Sequence, residues 1–334
     1  MKNRDAKPWV FAEEKQDSRL QSEYRNCLRR AVFLLEVKRL DTSLLFSSGF
    51  WEKAWEEANI KDKERREKKA VDVWNRRAAN YERNVGSDSG QKRVDASLAF
   101  LESYGILNRK LKIMDLGCGP GNFSLAFAER GHSVWALDPA EKMLEQLRMK
   151  LETKPELEAR VTPVVADWIP LELEDYGWEK HFDLIFASMT PGINNVPTLQ
   201  KAINASKGYV YLSRFAGPRS QPSVEAIWQR LHGSVYYSQS LDILFPQNWL
   251  YATGYRPAAH YVRWEREHSQ PVADAVDEIR NVLALRLDMN DAVEAAIEDY
   301  VAKQAKDGIF TEIKGATSAM LLWRVDKDVI NRGG

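Results

Sequence analysis

Two aspartates, Asp115 and Asp138, bracket three closely spaced glycines, Gly117, Gly119 and Gly121. These residue types can hold a nucleoside. Glycine lets a backbone turn into conformations that a Cβ forbids and brings it close to a ligand. A helix starting just after such a turn offers unpaired N–H groups and partial positive charge. An acid after a second strand can accept hydrogen bonds from two ribose hydroxyls. Gly117 and Asp138 stand 21 positions apart, where the general nucleotide-binding pattern has about 20.

The surrounding pattern predicts the elements that position these groups. An apolar run over 113–116 reads as a strand leading into Gly117-Cys118-Gly119-Pro120-Gly121. Phe123, Leu125, Ala126, Phe127 and Ala128 follow as a helix that Gly131 ends, and 134–137 form a second strand ending at Asp138. Asn122 occupies the place of a dinucleotide fingerprint's third glycine, and no Gly-Lys-Ser/Thr phosphate loop exists. Asp138 with Glu141 also fits a helix capping box, so the acid could cap, bind ribose or do both. Downstream strands are expected at 161–166, 182–187, 208–213 and 257–266, with the last at 319–325; Gly308 and Gly315 flank the stretch 309–313 before it. Helices are expected at 139–152 (Pro139 in the first turn), 196–205, 272–287 and 291–306 (capped by Asp291).

The run Asp115-Leu116-Gly117-Cys118-Gly119-Pro120-Gly121, with the distal Asp138, resembles the first motif of class I S-adenosylmethionine (SAM)-dependent methyltransferases. The resemblance is close over 74–213 and holds only in outline beyond. It implies an α/β fold, a doubly wound, Rossmann-like seven-stranded sheet with its last strand antiparallel. It also implies SAM as cofactor and S-adenosylhomocysteine as product. Asp115 would lie near the methionine moiety, with Gly117, Cys118, Gly119, Gly121 and Asn122 forming the loop. Asp138 would hold the ribose, with Pro139 and Met143 beyond it. Asp167 would bond the adenine amino group, and Trp168 would lie against the ring. Ser188 and Met189 fall at the family's fourth motif, where sulfonium and acceptor meet. The Asn-Pro-Pro-Tyr signature of amino-group methylation of DNA and protein glutamine is absent there. Trp74, Ala78 and Tyr81 resemble a segment whose tyrosine often touches the SAM carboxylate.

Composition narrows the acceptor. The 334 residues carry 48 Lys+Arg and 48 Asp+Glu, for a formal net charge of zero. This argues against a nonspecific nucleic-acid or anionic-membrane binder. The chain has two cysteines, Cys27 and Cys118, too few for a disulfide framework or thiolate metal site. No histidine spacing suggests a metal. The N-terminus lacks a secretion signal's apolar core, and no apolar run reaches membrane-span length. The expectation is a cytoplasmic protein with a small-molecule acceptor.

Residues 1–70 read as a helical extension, either a structural collar or homodimer surface, or a lid whose apolar face includes Phe50, Trp51 and Trp55. Residues 71–334 would form the methyltransferase domain. Within it, 214–256 is an aromatic-rich insertion suited to acceptor binding. Trp51, Thr190, Arg214 and Tyr237 are candidate acceptor contacts. Placement of the nucleophile can provide most of the acceleration, and a base is needed only for a protonated acceptor. His232 and Tyr236 are candidates for that base, against a packing role for both. Two alternatives remain: a SAM- or nucleoside-binding regulator without turnover, and an NAD-linked oxidoreductase, against which Asn122 counts.

Overall fold

The computed structural model describes residues 41–66, 88–236, 242–284 and 287–326. Expectations for the stretch 1–40, for Trp74, Ala78 and Tyr81, and for Tyr237 lie outside these residues. From Leu45 onward the chain forms one compact unit. The helix α1 (Ser48–Arg66) lies within this unit.

The helix α2 (Asp88–Ser103) precedes β1 (Lys112–Leu116). Then follow α3 (Asn122–Glu129), β2 (Ser133–Asp138), α4 (Glu141–Glu152), β3 (Val161–Val165) and β4 (Phe182–Ser188). Next come α5 (Val196–Ala205), β5 (Ser206–Phe215), α6 (Pro222–His232) and α7 (Leu244–Ala252). The chain closes with β6 (Ala258–Pro271), α8 (Val272–Leu283), α9 (Asp291–Gln304) and β7 (Ile309–Arg324).

The seven strands form one sheet in the order β3-β2-β1-β4-β5-β7-β6. The first five are parallel, and β7 is antiparallel to β5 and β6. This is the doubly wound sheet expected from the sequence. Parallel strands are covered on both faces, so their residues are apolar throughout but alternate between two cores. Ile113, Leu184, Phe186 and Tyr211 face a core with Phe123 and Phe127. Met114, Leu116, Ile185 and Leu212 face the other, with Trp55, Trp168 and Trp249.

The C-terminal third departs from expectation. The last strand, expected over 319–325, already begins at Ile309 as β7, because β6 offers it a continuous partner from Ala258 to Pro271. Gly315 lies inside β7; a Cβ there would stand 3.3 Å from the Trp264 carbonyl and 3.1 Å from Glu265 Cγ. The pairing of β5 with β7 ends at Phe215↔Ser318, so the first half of β7 and the second half of β6 project past the carboxyl edge of β5. A satellite core forms on this projection, where Val224 and Ile227 of α6 meet Ala275 and Ile279 of α8, Ile297 of α9 and Phe310 of β7. The expected insertion over 214–256 is thus divided: α6 joins the satellite, while Trp249 and Leu250 of α7 join the main core. The cap of α9 is Asn290, not Asp291; its side chain accepts from the N–H groups of Ala292 and Val293 at 3.1 Å each.

Candidate cofactor and acceptor site

The glycine loop takes its shape from three left-handed residues. Gly117, Gly119 and Gly121 have φ of 71°, 54° and 80°, values that L side chains rarely adopt. At Gly117 a Cβ would lie 2.2 Å from Thr190 Oγ1, and at Gly121 one would lie 2.3 Å from Leu147 Cδ1. The first glycine therefore lets the loop after β4 close onto the loop after β1. The N–H groups of Gly117 and Cys118 both donate to the Leu137 carbonyl, at 2.8 and 3.1 Å. No side chain caps the first turn of α3. Cys118 is buried against Leu144 and Leu147, and burial pushes its thiol well above the ordinary range.

Both acids are buried at the carboxyl ends of adjacent strands. Asp115 is 2% exposed and accepts a 2.6 Å hydrogen bond from Ser124 Oγ. Burial pushes its carboxyl up to about 7, opposed by the Ser124 bond; the charge of Asp138 adds to the rise and that of Arg93 opposes it. Asp138 Oδ2 accepts from the Gly119 N–H and Oδ1 from the Ala140 N–H, each at 2.9 Å. Burial raises its pKa, and these two bonds oppose the rise. Each carboxylate oxygen retains a lone pair for a further donor. The capping box does not form: the N-cap of α4 is Ala140, without a side-chain cap. Pro139 consequently precedes the helix instead of entering its first turn.

The other cofactor candidates divide between exposed and structural positions. Asp167 is exposed beyond β3 and accepts from the Ile169 N–H at 3.0 Å. Trp168 is 1% exposed, donates its indole N–H to the Thr198 carbonyl at 3.2 Å, and packs in the main core. Met143 is buried on α4. Asn122 opens α3, and its Oδ1 accepts from Lys150 Nζ at 2.9 Å; the same ammonium donates to the Pro120 carbonyl at 3.0 Å.

Beyond β4 the backbone is held in a rare conformation. Met189 has φ of 55°, and its N–H donates to the Ser213 carbonyl at 3.0 Å. Ser188 Oγ lies 3.1 Å from Ser213 Oγ. Thr190 is buried and accepts from the Gly192 N–H at 3.1 Å. The next residue along β5 after Ser213, Arg214, is 2% exposed, with its guanidinium carbon 5.8 Å from the centre of the Trp55 ring on α1. Asn59 of α1 donates to the Asn194 carbonyl, so the helix spans the ends of both β4 and β5. Trp51 is half-buried, donating to the Leu45 carbonyl at 2.9 Å. His232 and Tyr236 flank the Trp228 ring at 4.4 and 5.3 Å on the satellite core, where packing is their described role.

Four residues of this site carry no sequence signal. Ser124 and Lys150 brace the loop, and Ser213 braces Met189. Arg93 of α2 lies 5.8 Å from the Phe123 ring, with its Nε buried and unpaired among the described residues. No cluster of three or more potential metal ligands exists among the described residues.

A family model for a methyltransferase domain matches residues 113–208, the span from β1 to the start of β5. Over residues 113–208 the chain is thus similar to methyltransferase domains. The chain is 27% identical over 177 residues to the biotin biosynthesis bifunctional protein BioHC of Cellvibrio japonicus, covering 52% of this chain and 32% of that protein. It is 36% identical over 95 residues to an uncharacterized Haemophilus influenzae protein, covering 28% and 36%. The chain thus spans about a third of the length of each curated relative. Among solved structures, the magnesium protoporphyrin IX methyltransferase of Synechocystis with bound S-adenosylhomocysteine is similar at a TM-score of 0.45 and 16% identity, over 76% of this chain and 96% of that one. No helix of the described residues is long and apolar enough to cross a membrane.

Proposed function

We propose that the chain is a SAM-dependent methyltransferase acting on a small-molecule acceptor. The observation that carries this reading is the joining of the left-handed glycine loop to Asp138 through the Gly119 N–H. The residues fit the cofactor chemically. A loop without Cβ atoms admits a nucleoside against the backbone. Asp138 can accept from the ribose, and Asp115 can hold the methionine ammonium, with Arg93 toward the carboxylate. Exposed Asp167 is the adenine contact; Trp168, in the core, supports its turn.

When bound, S-adenosylmethionine supplies an electrophilic methyl group. The chain's contribution is then binding, orientation and exclusion of water. Ser188, Met189 and Thr190 shape the end of β4, and α1 covers the ends of β4 and β5 against solvent. The neutral net charge favours a small acceptor over nucleic acid. The proposal includes a cytoplasmic location and leaves the homodimer to sedimentation analysis.

Calorimetric titration with SAM is the first test; no measurable affinity in the intact protein would remove the reading. Release of S-adenosylhomocysteine on incubation with small-molecule fractions separates the enzyme from a binding protein without turnover. Tighter binding of NAD than of SAM would favour the oxidoreductase instead.

A further inference from the structure

Arg214 is an anomaly in a well-packed core. Its side chain is among the largest fully buried ones in the protein, yet Nε, Nη1 and Nη2 have no hydrogen-bond partner among the described residues. The indole Nε1 of Trp55 beside it is also buried and unpaired. Arginine is almost never fully buried unless paired, because an isolated buried charge carries a large desolvation penalty. Burial lowers the Arg214 pKa to about 9, with the negative charge of Asp242 opposing the fall. That residue forms no ion pair with Arg214, and its carboxylate already accepts from the Gly217 and Leu244 N–H groups at 2.7 and 2.8 Å. The guanidinium therefore remains charged at neutral pH.

Unpaired buried donors thus stand on two neighbouring side chains, the Arg214 guanidinium and the Trp55 indole N–H. A guanidinium presents a planar fork that matches a carboxylate or phosphate in two parallel hydrogen bonds. The aromatic face of Trp55 fixes its plane. The location selects which ligand brings the anion. The cofactor loop lies at the ends of β1 and β2, and β4 separates β1 from β5. Two strand spacings put Arg214 on the order of 10 Å across the sheet from β1. On the methyltransferase reading, Asp115 and Arg93 take the amino-acid end of the cofactor on the β1 side.

Resting on the methyltransferase reading, we propose that the acceptor is an anion, a carboxylate or phosphate, anchored by Arg214 with the Trp55 indole N–H as a further donor. The rest of the acceptor extends from this anchor toward the end of β4, where Ser188 and Met189 stand. Stability is given up for binding here: among the described residues the guanidinium has no hydrogen-bond partner, and the acceptor's anion would supply one.

The test uses the full chain saturated with S-adenosylhomocysteine, which blocks the cofactor's own carboxylate site. Acetate and inorganic phosphate serve as probes, with sodium chloride matching ionic strength, and the thermal unfolding midpoint is the readout. The wild-type midpoint should rise with one or both probes beyond chloride. A rise with acetate alone indicates a carboxylate acceptor, and one with phosphate alone a phosphorylated acceptor. Arg214→Gln should weaken the probe by roughly tenfold to a hundredfold, as expected for losing charge-assisted bonds, and Arg214→Lys should be intermediate. Trp55→Phe keeps the ring and should lose part of the effect. Without probe, Arg214→Met should unfold at a higher temperature than wild type. No wild-type response, an undiminished response in Arg214→Gln, or a lower midpoint for Arg214→Met would each overturn the proposal. Failure of wild type to bind S-adenosylhomocysteine would instead strike the methyltransferase reading itself.

Discussion

The two ends of the carboxyl edge are built on opposite plans. At β1 and β2 the polar groups partner one another: Asp138 holds Gly119 and Ala140, Ser124 holds Asp115, and Lys150 straps Pro120 and Asn122. At β5 the donors of Arg214 and Trp55 have no such partners. The first end keeps its shape whether or not it is filled. The second is incomplete without an added group. On the proposed function, a preformed cradle would meet the cofactor of every turnover, while the acceptor would complete its own site and be recognised by doing so.

The largest effect should come from breaking the preformed end. Gly117→Ala forces a Cβ to φ of 71° and into Thr190. The combined strain and overpacking should cost about 2–5 kcal/mol in urea unfolding. A loss below about 1 kcal/mol would mean the loop is not rigid. Asp138→Ala comes next and should weaken SAM binding in calorimetry by about 1.5–3 kcal/mol. Unchanged affinity would take Asp138 out of the ribose site.

Asp115 gives a pH-dependent test. Its folded pKa of about 7 lies above its ordinary value of 3.8. The unfolded chain gives up this proton first, so the empty protein should lose stability as pH rises from about 4 to about 7. Asp115→Asn should flatten that slope in urea titrations across the range. A cation held by Asp115 favours the carboxylate, so SAM binding near neutrality should release a proton, visible as a buffer-dependent binding enthalpy. Equal enthalpies in all buffers would separate Asp115 from the ammonium. The smallest effect is at Met189, where Met189→Gly relieves a left-handed φ of 55°. Relief of about 1 kcal/mol, partly offset by glycine's freedom in the unfolded chain, should leave stability nearly unchanged. A loss above about 2 kcal/mol would show that the Met189 side chain, not the backbone, holds the end of β4.

The same contrast explains what could be read from the sequence. The loop was legible because its determinants are consecutive: strand, glycines, helix and acid follow one another in the chain. The pairing of Arg214 with Trp55 was not, because it joins β5 to a helix far upstream. Arg214 could be marked as a candidate by its place after a strand, but its burial and lack of partners are tertiary facts. For Trp168 the sequence showed a place after a strand beside an acid, but not the hydrogen bond of its indole to the Thr198 carbonyl or its burial. In the last third, Gly315 read as a flank of 309–313, ahead of the last strand and outside it. The long partner strand β6 overrides that local preference.

The last two residues of β2 clamp three successive amides of the loop, Leu137 through its carbonyl and Asp138 through its carboxylate. Cradle geometry is therefore slaved to the alignment of one ladder. Lengthening the Gly131-His132 corner leaves that alignment intact. Adding one residue within β2 turns its side chains to the opposite faces and withdraws both clamps together. Evolutionary drift in this protein should accordingly tolerate insertions at the corner and none between Ser133 and Asp138.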